Sequence, residues 1–120
     1  MIGGAGTDTA SYASSLSGVT VNLTTGTGIG GDAQGDTLTG IENLTGSSSG
    51  DFLTGDGGAN VLSGGGDDDV LAGLGGADNL VGGGGSDTAD YSASAAGVTV
   101  DLGAGTASGG DATGDSFRLD

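Results

Sequence analysis

Residues 64–90 read GGGDDDVLA-GLGGADNLV-GGGGSDTAD, three consecutive units of nine residues. Each unit begins with glycine, has aspartate at its sixth position and has leucine or alanine at its eighth. Glycine supplies the positive φ angles that tight turns need, and a triplet such as Val70-Leu71-Ala72 has strand-like composition. Nine residues are too few for a strand and a crossover helix. The unit therefore predicts one turn and one short strand, with successive strands stacked in parallel.

The period of nine residues extends outward from these three units. The residues expected to point inward are evenly spaced at Leu44, Leu53, Leu62, Leu71, Leu80 and Ala89. Two residues before each of them lies a polar residue, namely Glu42, Asp51, Asn60, Asp69, Asp78 or Asp87. No helical period of 3.6 residues is visible. The best repeats span residues 46–90, and residues 3–11 form a further copy.

A second, longer period of 79 residues is also present. Residues 3–36 match residues 82–115 without a gap at 21 of 34 positions, which indicates an internal duplication. In each copy an alternating segment, 19–23 or 98–102, predicts a longer, half-buried strand, and residues 24–35 are expected to form a loop. We expect residues 1–120 to form a single domain or a fragment of a longer array.

The composition limits what can stabilise such a fold. Leu, Ile, Val and Phe make up 23 of 120 residues and the net charge is −15, values typical of disordered chains. The chain has no Cys or His, which excludes disulfides, the common zinc sites and the common nucleophile–base pairs of enzymes. The negative charge excludes nucleic acid as a partner. No apolar segment is long enough to span a membrane, and no signal peptide is visible at Met1.

A hard cation bound by oxygen atoms remains compatible with this composition. Stacking the turns brings like charges together, which penalises folding unless a cation lies between them. Ca²⁺ accepts six to eight oxygen ligands, including backbone carbonyls, whereas Mg²⁺ requires stricter octahedral geometry. The repeats therefore favour several Ca²⁺ ions as the cofactor.

The pattern G-G-x-G-x-D-x-U-x, where U is a large apolar residue, resembles the RTX nonapeptide repeat. The resemblance implies an all-β fold, a parallel β-roll or right-handed β-solenoid, with longer-strand turns between the repeat blocks. It also implies a secreted or cell-surface bacterial protein that leaves the cell by type I secretion. Proteins with such repeats include proteases, lipases, epimerases, haemolysins and adhesins.

In that family each Ca²⁺ lies between turns that are eighteen residues apart. Carried over, this pairs Asp51 with Asp69 and Asp69 with Asp87 on one edge of the roll, and Asn60 with Asp78 on the other, where Glu42 with Asn60 is a further candidate pair. For the Asp69/Asp87 site the resemblance implies four backbone carbonyls as additional ligands, those of Gly65, Asp67, Gly82 and Gly84. The candidate side-chain ligands are Asp8, Asp36, Asp51, Asn60, Asp69, Asp78, Asp87 and Asp115. The candidate backbone ligands and turn residues are Gly64, Gly65, Gly66, Asp67, Gly73, Gly75, Gly82 and Gly84. Asn60 in place of aspartate is expected to bind more weakly.

Three functional hypotheses follow. The first is a calcium-binding β-roll that is unfolded inside the cell and folds in extracellular Ca²⁺, with a structural and export role. The second is an adhesin or filament module that stacks end to end as a homo-oligomer. The third is an accessory module of a secreted enzyme; no catalytic activity is expected of this chain itself. Gly26–Gly31 matches G-x-G-x-x-G, but the absence of a following helix argues against a dinucleotide site.

Overall fold

The computed structural model describes residues 1–119; Asp120, the last residue of the predicted domain, lies outside them. The described chain is all-β, with twelve short strands and two 3₁₀ turns, Gly31–Ala33 and Gly110–Ala112. The strands are β1 Thr9–Ser11, β2 Thr20–Asn22, β3 Thr27–Ile29, β4 Asn43–Thr45, β5 Phe52–Thr54, β6 Val61–Gly65, β7 Val70–Ala72, β8 Asn79–Gly83, β9 Thr88–Ala89, β10 Thr99–Asp101, β11 Thr106–Ser108 and β12 Ser116–Arg118.

From β4 to β9 the chain passes alternately between two sheets. One sheet has the order β1-β4-β6-β8-β12-β11-β10 and the other has the order β3-β2-β5-β7-β9. The neighbours β4, β6 and β8 pair in parallel, as do β5, β7 and β9. Leu62 pairs with Leu80, and Leu53 with Leu71. Strands eighteen residues apart are therefore neighbours, and we call residues 43–89 the central stack.

The core of the central stack is a column of leucines in each sheet. Side chains at the eighth position of successive units are buried, at Leu44, Leu53, Leu62, Leu71 and Leu80. Strand residues on either side of each leucine are exposed or half-buried, because neighbouring side chains of a strand point to opposite faces. The prediction of one inward residue per nine-residue unit is confirmed for these five units.

The first duplicated segment adds a hairpin, β2 and β3, at the end of the five-stranded sheet next to β5. In β2, Val21 is buried between β3, which pairs antiparallel with it, and β5, which pairs parallel. The predicted half-buried strand at 19–23 is confirmed, but the loop expected over 24–35 is wrong in part, since it contains β3 and a 3₁₀ turn. Gly28 of β3 is buried against Ala33, where a Cβ would lie 3.0 Å from the Ala33 Cβ. A strand with glycine at its inward position has no apolar pattern to reveal it.

The second copy of the hairpin lies at the opposite end of the molecule. Strands β10 and β11 pair antiparallel, and β12 pairs with β8 so that Phe117 lies beside Leu80. Within the described residues β10 has no strand on its other edge, and Val100 is 38% exposed whereas its counterpart Val21 is 0% exposed. The half-buried strand expected at 98–102 is therefore more exposed than predicted. No helix in residues 1–119 has the length and apolar character needed to cross a membrane.

Candidate metal centre

The turns of the three best units share an unusual backbone. The second and fourth residues of each unit have positive φ, at Gly65, Asp67, Leu74, Gly76, Gly83 and Gly85. Residues with a side chain rarely adopt this conformation, so glycine is favoured at both positions. Asp67 at φ 68° and Leu74 at φ 70° adopt it nevertheless. The positive φ angles thus explain why the repeat has glycine at its second and fourth positions.

The first glycine of each unit is required for a different reason. A Cβ on Gly64 would lie only 2.0 Å from Oδ2 of Asp69 and 2.7 Å from the carbonyl oxygen of Gly82. Gly73 and Gly82 are in the same position against Oδ2 of Asp78 and Asp87, at 2.2 and 1.9 Å. A carboxylate oxygen and a backbone carbonyl therefore converge beside Gly64. The absence of a side chain there leaves room for both oxygens.

The third residue of each unit has no such constraint. A Cβ on Gly75 would make ordinary contact with Gly57 at 3.9 Å, and one on Gly84 would meet nothing within 4 Å. A Cβ on Gly66 would lie 3.3 Å from the carbonyl oxygen of Ser48. These positions, Gly66, Gly75 and Gly84, were predicted among the turn residues of the site. The geometry requires glycine there less than at the first position.

The aspartates at the sixth position form a ladder between turns. Oδ1 of Asp69 accepts a hydrogen bond from the Asp51 backbone nitrogen at 2.8 Å, and Oδ1 of Asp87 accepts one from Asp69 at 3.1 Å. In the other sheet Oδ1 of Asp78 accepts from the Asn60 nitrogen at 2.8 Å. Each link joins residues eighteen positions apart. The predicted pairs 51/69, 69/87 and 60/78 are thus neighbours in space.

The second oxygen of the same carboxylates has no partner. Oδ2 of Asp8, Asp69, Asp78 and Asp87 is buried and has no hydrogen-bond donor among the described residues. A buried polar group without a partner costs about 1–3 kcal/mol, and more when it is charged. Four such atoms in equivalent turns are a systematic feature of the repeat. The lone pairs of these oxygens are therefore available to a cation or to another donor.

Burial also changes how two of these aspartates titrate. Desolvation raises the pKa of Asp69 to about 6, partly offset by its hydrogen bond from Asp51 and increased by the neighbouring carboxylates. Desolvation likewise raises the pKa of Asp78 to about 6, and the charge of Asp115 adds to the effect. Both carboxylates therefore lie in a field that disfavours their negative charge. A cation beside them would reverse that field.

The donor set fits a hard cation best at Asp69 and Asp87, which both have a free oxygen. Of the four carbonyls that the family resemblance implies for this pair, that of Gly82 lies beside Gly64, next to the Asp69 carboxylate. The Gly65 carbonyl accepts a hydrogen bond from Gly84 at 3.0 Å, which leaves one lone pair. In the described part of the chain no three acidic side chains converge as a metal-binding group. Carboxylates alone therefore do not complete a coordination shell, and backbone carbonyls are needed.

Asp51 differs from Asp69 because its oxygens are already hydrogen-bonded. Its Oδ2 accepts from the Ser47 nitrogen at 2.5 Å, and its Oδ1 accepts from the Val19 nitrogen and the Ser47 hydroxyl at 2.7 and 3.0 Å. The turn before Asp51 has serines at its second, third and fourth positions, and none of them has positive φ. Sequence reasoning missed Ser47, although the replacement of glycine at its position was visible.

Asn60 is also held by side-chain hydrogen bonds, to Asp56 in its own turn and to Glu42 eighteen residues earlier. Its Oδ1 accepts from the Asp56 nitrogen at 2.9 Å, and its Nδ2 donates to the Glu42 carbonyl at 2.8 Å and to Oδ1 of Asp56 at 3.2 Å. An amide can donate where a carboxylate cannot. This turn therefore meets its polar demands without a cation.

Asp36 and Asp115, the candidate ligands nearest the hairpins, are bound by tyrosines. Tyr12 donates its hydroxyl to Oδ2 of Asp36 at 2.9 Å, and Tyr91 donates to Oδ2 of Asp115 at 2.5 Å. Burial is the main cause that raises the pKa of both hydroxyls, and the hydrogen bond to the neighbouring carboxylate raises it further. Sequence analysis missed both of these tyrosine–aspartate hydrogen bonds. The sequence signal for this contact is the separation of 24 residues between tyrosine and aspartate, which is the same in both copies.

Comparison with known proteins agrees with this geometry. The family model described as the RTX calcium-binding nonapeptide repeat (4 copies) matches residues 36–71 and again residues 54–89. The two matches together cover the central stack. No curated protein matches the chain.

Proposed function

The chain belongs to the RTX calcium-binding nonapeptide repeat family through residues 36–89, and from this we propose that it is a calcium-binding β-roll that folds when it binds extracellular Ca²⁺. The parallel strands and the alternation of the chain between two sheets support the β-roll, or right-handed β-solenoid, as the finer description of the all-β fold. Residues 1–120 form one domain in this proposal.

The observation that carries the proposal is the set of four buried, unpartnered Oδ2 atoms at Asp8, Asp69, Asp78 and Asp87. The chain has a net charge of −15 and few large apolar residues, so stacked acidic turns oppose folding. A divalent cation that binds the folded chain and not the unfolded one stabilises the folded state by mass action. Millimolar Ca²⁺ outside the cell supplies that stabilisation, whereas low Ca²⁺ inside leaves the chain unfolded.

We expect the strongest site between Asp69 and Asp87, with backbone carbonyls completing the shell. Asp78 is the main ligand on the opposite sheet, where its neighbour Asn60 provides a weaker partner. Asp8 is a candidate in the first copy. Asp51, Asp36 and Asp115 are weaker candidates, because hydrogen bonds already occupy their oxygens. Calcium neutralises the turn carboxylates when bound; the chain's own residues fix the turn geometry.

The biological setting follows from the family. The RTX nonapeptide is a calcium-binding structural repeat, and a role without catalysis fits this chain, since it lacks His and Cys. Secretion by the type I route and a location outside a bacterial cell are part of the proposal. A place as accessory module of a secreted protease, lipase or epimerase is compatible with the same calcium-dependent folding.

Titration of the EDTA-treated chain with CaCl₂, followed by far-UV circular dichroism, tests the proposal. The expected result is a cooperative change from coil to β-structure with Ca²⁺ and a much weaker response to MgCl₂, because Mg²⁺ requires a stricter geometry. Folding in EDTA at neutral pH, or equal folding with Mg²⁺, would contradict it.

A further inference from the structure

The turns of the central stack follow one geometric rule. A Cβ built on Gly64 would lie 2.0 Å from Oδ2 of Asp69 and 2.7 Å from the carbonyl oxygen of Gly82, eighteen residues later. The same arrangement recurs at Gly46 and Gly55, where the carbonyl again belongs to the first glycine of the turn eighteen residues later. The side-chain oxygen of the sixth residue therefore lies beside the next turn of the same sheet.

Asp78 has the same surroundings, but its next turn in the sheet is not eighteen residues away. A Cβ on Gly73 would lie 2.2 Å from Oδ2 of Asp78. The strand that follows Asp78, β8, pairs in parallel with β12, which follows Asp115. The Asp78 backbone nitrogen donates to Oδ1 of Asp115 at 2.8 Å, across 37 residues that include β9, β10 and β11. Asp115 therefore occupies the place that Asp87 has beside Asp69.

Both carboxylates are buried among other acidic side chains. Asp78 is 2% exposed and Asp115 is 3% exposed, and Oδ2 of Asp78 has no hydrogen-bond donor among the described residues. Desolvation is the largest cause that raises the pKa of Asp78, and the charges of Asp115, Asp56 and Asp111 raise it further. Like charges at this distance disfavour each other, and a cation between them reverses the effect. The buried, unpartnered oxygen thus points to a missing ligand.

Tyr91 fixes the orientation of the Asp115 carboxylate. Its hydroxyl donates to Oδ2 of Asp115 at 2.5 Å. Burial and this hydrogen bond raise the pKa of the hydroxyl, and the charge of Asp78 adds to the effect, so Tyr91 lies near both carboxylates. A carboxylate oxygen has two lone pairs, so the hydrogen bond from Tyr91 leaves one of them free. The tyrosine therefore orients this carboxylate without blocking it.

We propose that Asp78 and Asp115 form a Ca²⁺ site of their own, with Tyr91 as its positioning residue. The residues that the family model matches, 36–89, include neither Asp115 nor Tyr91, and the nonapeptide spacing does not pair Asp78 with Asp115. Ca²⁺ suits the pair because it combines carboxylates with backbone carbonyls in flexible geometry. The site rests on the proposed function and adds to it a pair of ligands that the repeat does not supply.

An ion at this position joins the second hairpin segment to the central stack. The turn before β8 and the turn before β12 are its two sides, and the chain between them closes a loop of 37 residues. Closing such a loop costs conformational entropy, and the free energy of ion binding offsets that cost, because the site exists only in the folded chain. The order of residues 91–118 therefore depends on this ion more than on the ion at Asp69 and Asp87.

Isothermal titration calorimetry with CaCl₂ tests the pair of ligands. Asp115→Asn keeps the acceptors for the Asp78 nitrogen and the Tyr91 hydroxyl but removes a charge, and it is expected to bind one ion fewer than the parent chain. The matched control Asp101→Asn removes the same charge from an exposed residue of β10 and is expected to bind as many ions as the parent. An unchanged number of ions in Asp115→Asn would overturn the site.

Terbium luminescence tests the position of the ion beside Tyr91. Tb³⁺ binds the same oxygen ligands as Ca²⁺ and emits when a nearby tyrosine absorbs light, and the chain has two tyrosines and no tryptophan. Tyr91→Phe keeps both carboxylates and is expected to lose most of the tyrosine-excited emission, whereas Tyr12→Phe, its counterpart in the first copy, is expected to retain it. Asp115→Asn should lose the same emission, which distinguishes this ion from one at Asp69 and Asp87.

These outcomes separate the new site from the proposed function. Undiminished emission in Tyr91→Phe would overturn the site, and this variant does not depend on the folding of Asp115→Asn. Circular dichroism in saturating CaCl₂ establishes that each variant folds. Loss of an ion in Asp69→Asn but not in Asp115→Asn would overturn the site and leave calcium-dependent folding intact. A parent chain that binds no Ca²⁺ would overturn both.

Discussion

The carboxylate of Asp69 accepts a hydrogen bond from the backbone nitrogen of Asp51, 2.8 Å away and eighteen residues earlier in the chain. The same link recurs from Asp87 to Asp69 and from Asp78 to Asn60. One oxygen of each aspartate thus joins two turns, and the other oxygen remains free for a ligand. The sixth residue of the repeat therefore has a structural role and a candidate binding role on separate atoms.

Gly64→Ala is expected to impair calcium-dependent folding, because its Cβ would lie 2.0 Å from Oδ2 of Asp69 and 2.7 Å from the Gly82 carbonyl. Displacing these oxygens costs about 1–3 kcal/mol, the range for overpacking. The measurement is the Ca²⁺ midpoint by circular dichroism, which should rise. Gly84→Ala is the matched control: a Cβ there meets nothing within 4 Å, so its midpoint should equal that of the parent. Equal midpoints for both variants would show that the space beside Gly64 is not used.

Asp69→Asn is expected to raise the Ca²⁺ midpoint by about tenfold or more, because the amide keeps an oxygen acceptor but removes the charge that balances a cation. Isothermal titration calorimetry should also show at least one fewer strong site. Asp32→Asn removes the same charge from an exposed residue and should leave the midpoint unchanged. If the two variants shifted the midpoint equally, net charge rather than ligation would explain the effect.

The calcium-free chain is expected to become more structured as pH falls. The pKa values of Asp69 and Asp78 rise in the folded chain from 3.8 to about 6, so the folded state binds protons more tightly than the unfolded state. The protonated carboxyl groups therefore stabilise the folded state most below pH 3.8, the ordinary pKa of aspartate. This stabilisation is lost as the pH rises from 3.8 to about 6. Circular dichroism in EDTA between pH 3.5 and 7 measures this. A β-signal that is constant or increases towards pH 7 would contradict the prediction.

Tyr12→Phe is expected to destabilise the calcium-bound chain by about 1–3 kcal/mol, because Oδ2 of Asp36 loses its hydroxyl donor. Thermal unfolding in saturating CaCl₂ measures the loss. Adding Asp36→Asn should cost less in the Tyr12→Phe background than in the parent, since the two side chains interact directly. Strictly additive effects would indicate that the hydrogen bond contributes nothing.

Sequence periodicity was sufficient to predict the central stack because one inward leucine per nine residues sets both the strand and its register. It could not reveal β3, whose inward residue is Gly28 and which is held by backbone pairing with β2. Nor could it give the exposure of β10, because burial there depends on a strand that would lie on its outer edge.

The candidate site was predicted only to the level of residue spacing. The pairing of aspartates eighteen residues apart was predicted, but the spacing treats Asp51 and Asp69 alike. The structure distinguishes them through Ser47, whose nitrogen and hydroxyl occupy the Asp51 carboxylate. Hydrogen bonding within a turn depends on local backbone geometry, which a count of positions does not contain.

The aspartate ladder has a direction along the chain. Each turn donates its backbone nitrogen to a carboxylate that arrives later, from Val19 to Asp51, from Asp51 to Asp69 and from Asp69 to Asp87. Deleting the last turn therefore deprives the turn eighteen residues earlier of an acceptor, whereas deleting the first turn only frees a carboxylate oxygen. A chain that leaves a ribosome or a membrane pore amino-terminus first always lacks the acceptors for its two newest turns. The ordered part of such a chain consequently ends at least eighteen residues before its newest residue.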